Sequence, residues 1–154
     1  MLTQSEENYL KAVYTLSEEF GESVSTNLLA EKIESKPSSV TDMIKKLSEK
    51  DLISYQKYQG CTLTEEGRKK ALLIIRKHRL WEVFLVEKLK FGWEEVHEVA
   101  EQLEHIQSPK LINQLDALLG FPTHDPHGDP IPDKDGNLNM IDKKLLSTLE
   151  IKRI

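Results

Sequence analysis

Three segments with helical apolar spacing, followed by two short β-rich runs, fill the first 65 residues of the chain. The first segment covers residues 4–20 and opens with a capping-box pattern formed by Thr3 and Glu6. The second covers about 26–34, and the third covers about 38–50 directly after Pro37, whose fixed φ suits the start of a helix. The runs LISYQKYQ and CTLT, separated near Gly60, predict a two-stranded hairpin. This order predicts a winged helix-turn-helix domain at 1–65, whose third helix enters the major groove of DNA.

The outer face of the third helix carries small hydroxyls near its N-terminus and lysines further along. Such hydroxyls can bond phosphates or base edges, lysines can neutralise phosphates, and tyrosines in the wing can add phosphate bonds. Residues 36–57 carry only five Lys against three acids, so a small helical bundle with a polar outer face stays an alternative. The predicted DNA-contacting residues are Lys36, Pro37, Ser38, Ser39, Thr41, Asp42, Lys45, Lys46, Tyr55, Lys57 and Tyr58.

The rest of the chain also shows mainly helical patterns. Thr64 can cap a long helix that reaches about residue 89, Gly92 breaks it, and a fifth helix is predicted over 93–106. Ser108 and Pro109 are an N-cap and a first-turn proline, so a sixth helix follows and ends near Gly120. The run FPTHDPHGDPIPDKDGN predicts an irregular loop. The fold class is therefore predicted to be mainly α, with a helical domain at 66–140 and a tail at 141–154.

Histidine and glutamate side chains recur in the fourth and fifth helices at spacings that bring them to shared faces. Residues three or four apart lie on the same side of a helix, so these side chains can converge on a metal ion. Carboxylate and imidazole ligands without a thiolate suit Mn²⁺ or Fe²⁺ better than a structural Zn²⁺ site. Ordinary surface pairs are the alternative for each set taken alone. The residues are His78 and Glu82 in the fourth helix, and His97, Glu101, Glu104 and His105 in the fifth.

Composition and missing motifs exclude several classes of protein. A formal net charge of −5 argues against a nonspecific nucleic-acid coat. No apolar run approaches the length of a membrane span, the N-terminus has no signal-peptide pattern, and Cys61 is the only cysteine, so a cytoplasmic protein with no membrane partner is expected. Glu94 and His97 match one Glu-x-x-His motif of di-metal helical enzymes, but the second such motif is missing. The chain is therefore predicted not to be an enzyme and to have no small organic substrate; a metalloenzyme remains the third hypothesis.

Six segments of the sequence carry a resemblance to a known family. They are SEENYLKAVYTL, KPSSVTDMIKKL, YQGCTLTEEG, RKHRLWEVFL, VHEVAEQLEH and GFPTHDPHGDPIP, which together span about residues 3–133. In these segments the chain resembles the diphtheria toxin repressor (DtxR) family of metal-dependent transcriptional repressors, and within it the manganese-responsive MntR-like branch. The resemblance implies a repressor that binds a palindromic double-stranded DNA operator as a homodimer and controls metal-ion uptake genes.

The resemblance also implies which residues hold metal. The activating metal is implied to be Mn²⁺, with Fe²⁺ as the alternative, and Zn²⁺ or other divalent ions as substitutes. Carried over position by position, the primary site falls on Asn8, Glu101, Glu104 and His105. The ancillary site falls on His78, Glu82 and His97, and loop residues that join a second site in some streptococcal manganese regulators correspond to Asp125 and His127.

The chain differs from other family members in four respects. Iron-sensing members have a thiol where this chain has Glu101, and this hard oxygen ligand favours manganese. Asn8 stands where Asp or Met is common, and Lys11 stands where some manganese sensors place a bridging Glu. Members often continue into an SH3-like domain after the proline-rich loop, and because this sequence stops at Ile154 such a domain is expected to be absent.

Apolar residues in the fifth and sixth helices exceed what a single thin layer of helices can bury. This excess predicts a two-fold dimer matched to a palindromic operator with half-sites about one helical turn apart. The alternative to a metal-gated repressor is a winged-helix regulator whose His and Glu clusters are structural. The apolar residues are Trp93, Val96 and Val99 in the fifth helix, and Leu111, Ile112, Leu115, Leu118 and Leu119 in the sixth.

Overall fold

A computed structural model describes residues 1–21 and 23–138 of the chain. These residues form six helices and one two-stranded antiparallel sheet, so the prediction of a mainly α fold is confirmed. The chain divides into two compact units, Met1–Ala71 and a second unit that begins at Leu72. The proposed boundary at 65/66 stays a prediction, and the predicted tail at 141–154 lies outside the described residues.

The first unit opens with three helices: α1 (Gln4–Phe20), α2 (Thr26–Ile33) and α3 (Pro37–Glu49). The predicted capping box starts α1, since the Thr3 hydroxyl accepts from the Glu6 N–H at 3.1 Å and the Glu6 carboxylate accepts from the Thr3 N–H at 2.9 Å. Glu34 ends α2 in the left-handed region, with φ 60° and ψ 48°. The chain then turns sharply, and Pro37 begins α3 at its first position.

The predicted hairpin follows α3. Strands β1 (Ile53–Gln56) and β2 (Gly60–Leu63) pair antiparallel, with Tyr55 opposite Cys61. A feature that the sequence patterns do not indicate is the pairing of Val24 with Cys61, through two backbone hydrogen bonds of 2.9 Å. Because Val24 lies between α1 and α2, this bridge attaches the hairpin to the helix-turn-helix.

Three more helices follow the hairpin: α4 (Glu65–Leu89), α5 (Val96–Leu103) and α6 (Pro109–Leu118). Thr64 caps α4 as predicted, accepting from the Gly67 N–H at 3.0 Å, and Ser108 caps α6. The prediction of a fifth helix over 93–106 is too long at both ends. Residues 93–95 form a turn, in which the Glu95 N–H donates to the Gly92 carbonyl at 3.0 Å. After Leu103 the chain leaves the helix.

Each unit has its own apolar core, as the helical spacing predicts. In the first unit the largest contributions come from α1, α2 and α3, whose core side chains include Leu10, Val13, Leu29, Val40, Ile44 and Leu47, all fully buried. In the second unit, α4, α5 and α6 pack together through Leu80, Trp81, Leu85, Val96, Ala100, Ile112 and Leu115. Burial of this kind stabilises the framework that positions the polar side chains described next.

Candidate metal centre and DNA-contacting surface

Two histidines and one glutamate from α4 and α5 converge in the second unit. Ligand atoms of His78, Glu82 and His97 all lie within 4.8 Å of one another. His78 and Glu82 are one turn apart on α4 and are both buried, whereas His97 projects from the first turn of α5 and is exposed. Two imidazole nitrogens and one carboxylate oxygen therefore lie close enough to share one ion.

The imidazole ring of His78 lies between two carboxylates. Its Nδ1 atom lies 2.9 Å from Oε1 of Glu104, and its Nε2 atom lies 3.4 Å from Oε1 of Glu82. All three side chains are at most 7% exposed. Both ring nitrogens thus face carboxylates that are almost completely removed from water, which fixes the ring orientation.

The loop after α6 adds a second layer of donors. His127 places its Nε2 atom 3.1 Å from Oε2 of Glu82. The carboxylate of Asp125 shapes this loop, since its Oδ1 atom accepts from the N–H groups of His127 at 2.9 Å and Asp129 at 2.8 Å. The Arg79 guanidinium donates to the carbonyl oxygen of Pro130 and so attaches the loop to α4.

Glu82 and Asp125 divide the negative charge of the cluster unequally. Burial alone raises the pKa of Glu82, but the hydrogen bond and charge of His78, with the charge of His127, lower that pKa to about 2. Burial raises the pKa of Asp125 to about 6, helped by the neighbouring Glu82 and opposed by the N–H of Asp129. Glu82 therefore stays ionised at any physiological pH, while Asp125 accepts a proton first as the solution is acidified.

His97 links the cluster to the outer surface of α5. Its ring meets the ring of His78 edge to face, with the centroids 4.8 Å apart. Its Nε2 atom lies 3.0 Å from Oε1 of Glu101, and both of these side chains are more than half exposed. Because it is exposed, this histidine can reorient toward a bound ion at little cost.

The structure brings most of the predicted ligands into one network. His78, Glu82 and His97 form its centre, Glu104 and Glu101 bond to the two histidines, and Asp125 and His127 join through Glu82. The remaining two predicted ligands lie elsewhere along the chain. His105 follows the end of α5 and is partly exposed, and Asn8 is an exposed residue of α1 in the first unit.

Trp93 is a neighbour of the network that the sequence patterns assign to a different role. Its ring meets the ring of His127 edge to face at 5.4 Å between centroids, and it is 64% exposed. Helical spacing placed Trp93 on the apolar face of the fifth helix, but the residue lies in the turn before α5. No local sequence signal indicates this contact, since the two residues are 34 positions apart.

The donor set fits a divalent metal of intermediate hardness. It consists of carboxylate oxygens and imidazole nitrogens. It includes no thiolate, since the one cysteine of the chain, Cys61, belongs to the first unit. Such ligands suit Mn²⁺ and Fe²⁺, and they also bind Zn²⁺. Buried Glu82 and Glu104 would each be stabilised by a cation, because an ionised carboxylate away from water needs a compensating charge.

The first unit presents the polar face predicted for α3. Lys36, Pro37, Ser38, Ser39, Asp42, Lys45 and Lys46 are exposed, and Thr41 is half-buried, with its hydroxyl donating to the Pro37 carbonyl at 3.0 Å. No side chain caps the N-terminus of α3. In the hairpin, Lys57 and Tyr58 are exposed and Tyr55 is half-buried. The residues predicted to contact DNA therefore lie at the surface, except for Thr41 and Tyr55, which are partly covered.

None of the described helices combines the length and apolarity needed to cross a lipid bilayer.

Two family models match adjacent parts of the chain. The model described as the iron dependent repressor N-terminal DNA binding domain matches residues 1–61. The model described as the iron dependent repressor metal binding and dimerisation domain matches residues 64–133.

Curated proteins and solved structures resemble the same part of the chain. The iron-dependent repressor IdeR of Mycobacterium tuberculosis is 34% identical over 131 residues, which are 85% of this chain and 56% of IdeR, so the chain spans about half the length of that relative. The HTH-type transcriptional regulator MntR of Oceanobacillus iheyensis is 33% identical over 79% of this chain and 81% of its own. A solved manganese-dependent transcriptional repressor in complex with manganese is 46% identical, covers 87% of this chain and 61% of its own, and superposes with a TM-score of 0.80.

Proposed function

The chain belongs to the iron-dependent repressor family, as its resemblance to the diphtheria toxin repressor family predicted, and on that premise we propose that it is a metal-dependent transcriptional repressor. It binds a palindromic double-stranded DNA operator as a homodimer in the cytoplasm and controls metal-ion uptake genes. Mn²⁺ is the activating ion, with Fe²⁺ as the alternative and Zn²⁺ as a substitute.

The observation that carries the proposal is the convergence of His78, Glu82 and His97, with ligand atoms within 4.8 Å. A purely structural role would satisfy the buried Glu82 and Glu104 with fixed cations such as Arg or Lys. Instead, both carboxylates contact the imidazole ring of His78, and Glu82 also contacts that of His127; an imidazole, unlike Arg or Lys, is not a fixed cation. A site of this kind is suited to gaining and losing a cation.

We assign the ligands in two sets. His78, Glu82 and His97, with Asp125 and His127, hold the ancillary ion, and the geometry of the second unit supports this set. The primary set of Asn8, Glu101, Glu104 and His105 rests on the resemblance. The carboxylate at Glu101, in place of a thiol, supports manganese, because Mn²⁺ prefers oxygen ligands.

A bound ion would supply positive charge and coordination bonds, and the residues that hold it would link metal binding to DNA affinity. Asn8 belongs to the helix-turn-helix part of the sequence, whereas Glu101, Glu104 and His105 belong to the helical part. Ligand residues drawn from both parts would lose freedom together when they coordinate metal. The free protein is then ordered before it meets DNA, so docking costs less conformational entropy.

The DNA-binding part of the proposal depends on α3 and the hairpin. Lys36, Lys45 and Lys46 can neutralise phosphates, and the exposed Ser38 and Ser39 can bond phosphates or base edges. The uncapped N-terminus of α3 adds backbone N–H groups that favour a phosphate. None of these residues is an arginine, so base discrimination relies on small contacts and on DNA shape.

Exposed apolar residues of the second unit support the homodimer. Leu118 and Phe121, at and just after the end of α6, are 60% and 66% exposed, and Leu111 on the same helix is 38% exposed. A two-fold interface that covers such residues would present two recognition helices to a palindromic site.

The experiment is operator binding measured by fluorescence anisotropy at one salt concentration. A duplex selected in vitro with the Mn²⁺-loaded protein is titrated with protein in chelator and then in Mn²⁺, Fe²⁺ and Zn²⁺. Salt is held constant because phosphate contacts make DNA affinity strongly salt-dependent. The proposal predicts affinity at least about tenfold tighter with Mn²⁺, a coupling of about 1.4 kcal/mol. Equal affinity in chelator and in every metal would instead support the winged-helix regulator that is not gated by metal.

A further inference from the structure

Tyr58 lies at the tip of the hairpin, in the turn between β1 and β2. It is 93% exposed, and its backbone has a φ of 68°. The turn that contains it is closed by a hydrogen bond of 3.0 Å from the Gln59 N–H to the Gln56 carbonyl. Tyr58 is therefore the third residue of a four-residue turn and adopts the left-handed conformation there.

A large aromatic residue is a poor choice for this position on grounds of stability. The left-handed region brings the β carbon of an L-residue close to its own carbonyl oxygen, so turns of this kind favour Gly or Asn. The ring recovers little of this cost by packing, because it is almost fully exposed. A residue that is strained and exposed at once points to a contact made outside the folded unit.

The base of the hairpin holds the tip in place. Cys61 exchanges two backbone hydrogen bonds of 2.9 Å with Val24, and the Ser23 hydroxyl donates to the carbonyl of Gln59. A β carbon on Gly60 would lie 2.5 Å from the Val24 carbonyl oxygen, so this approach is possible only for glycine. The tip is thus presented by a fixed support.

The tip carries positive charge beside the exposed ring. The Nζ atom of Lys57 lies 5.3 Å from the centroid of the Tyr58 ring. No Asp or Glu occurs anywhere in residues 52–64, although the whole chain has a net charge of −5. A cation beside an aromatic ring, on a segment without acids, is electrostatically complementary to a narrow minor groove of DNA, where the negative potential is high.

We propose that Tyr58 and Lys57 enter the minor groove of DNA beside the major-groove site of α3, and that they contribute a preference for A·T base pairs there. Narrow minor grooves of A·T-rich DNA attract cationic side chains, and partial insertion of a side chain between base steps is a known way to bind and bend DNA. The left-handed turn aims the ring outward, away from the folded unit. This inference rests on the proposed repressor function.

The test compares the wild type with Tyr58→Gly, both loaded with Mn²⁺. Glycine adopts the left-handed conformation without strain and removes the ring, so stability should rise while operator affinity falls. We expect a higher midpoint of urea unfolding, together with operator affinity weaker by about fivefold or more. Gln59→Ala, an exposed neutral change in the same turn, is the matched control. It should leave the midpoint of urea unfolding unchanged and the operator affinity within about twofold of the wild type.

A second comparison identifies the groove. The in vitro selected duplex is paired with one in which the A·T pairs flanking the α3 contacts are changed to G·C. We expect this change to weaken the wild type clearly more than Tyr58→Gly. Unchanged affinity in Tyr58→Gly, or equal losses for both proteins on the altered duplex, overturns the inference while the repressor function stands. If the wild type selects no duplex and binds none in Mn²⁺, both the inference and the proposed function fail.

Discussion

The Nδ1 atom of His78 lies 2.9 Å from Oε1 of Glu104, and both side chains are buried in the second unit. A carboxylate on one ring nitrogen favours the tautomer in which that nitrogen carries the proton. In that tautomer the other nitrogen, Nε2, carries the lone pair that would ligate an ion held together with Glu82 and His97. Histidines that ligate metals are commonly oriented in this way by a carboxylate.

The first prediction follows from this hydrogen bond. Glu104→Gln keeps the shape of the side chain but removes the negative charge that orients His78. Mn²⁺ affinity, measured by isothermal titration calorimetry, should fall by about 10- to 100-fold. Glu98→Gln, an exposed change on α5, should leave the affinity unchanged. Equal affinities for the wild type and Glu104→Gln would exclude Glu104 from the metal centre.

The second prediction concerns pH. Asp125, whose pKa is raised to about 6, accepts a proton as the pH falls through that value, whereas Glu82, with a pKa of about 2, stays ionised. A metal ion must displace the Asp125 proton, so Mn²⁺ affinity should decrease from pH 7 to pH 5. Competition titrations with a chelating dye at both pH values should show a smaller decrease for Asp125→Asn. A decrease of the same size in the variant would contradict this role.

The third prediction concerns the ion pair between α1 and the end of α3. Lys50 Nζ lies 2.5 Å from Oε2 of the buried Glu6. Burial alone raises the pKa of Glu6, but hydrogen bonds from Lys50 and Thr3 lower it to about 2. Because the unfolded value is about 4.5, this stabilisation is complete above pH 4.5 and is lost as the pH falls toward 2.

Lys50→Met should therefore lower the free energy of unfolding at pH 7 by about 1–2 kcal/mol, a modest value because Lys50 is partly exposed. The difference from the wild type should shrink by pH 3. Urea unfolding followed by circular dichroism measures both values. Lys50→Arg keeps the charge and serves as the control. A destabilisation that does not change with pH would mean that packing of the lysine stem, not its charge, is what matters.

The fourth prediction concerns the junction of the hairpin and α4. A β carbon on Gly67 would lie 1.9 Å from the carbonyl oxygen of Leu52. That oxygen also accepts the Thr64 N–H at 3.1 Å, so moving it breaks a hydrogen bond. Gly67→Ala should lower the free energy of unfolding by about 2 kcal/mol or more. Scanning calorimetry should show little change for the exposed neighbour Glu66→Ala, and comparable midpoints for the two variants would show that the junction can adapt.

The parts of the fold that depend on local rules were predictable from the sequence. The capping box of Thr3 and Glu6, the cap at Thr64 and the pairing of β1 with β2 all depend on residues close together in the chain. The ligands on α4 were predictable for the same reason, since i, i+4 spacing places His78 and Glu82 on one helix face.

Features that join distant parts of the chain were not predictable in this way. The bridge from Val24 to Cys61, the hydrogen bond from His78 to Glu104 and the contact of Trp93 with His127 each connect different elements. Phe20 shows that helical spacing alone also does not predict burial. Its spacing fits the apolar stripe of α1, yet it is 61% exposed at the last turn of the helix. Periodicity places residues on faces, and only packing decides which faces are covered.

The central claim is that metal and operator DNA bind with mutual reinforcement, and the most direct test is the Mn²⁺ affinity of the protein with and without operator. Electron paramagnetic resonance of free Mn²⁺ gives both affinities at the same salt concentration. Because coupling between two ligands is reciprocal, Mn²⁺ should bind about tenfold or more tightly when the operator is present, by the same factor that Mn²⁺ tightens DNA binding. Identical Mn²⁺ affinities in the two conditions would contradict the account.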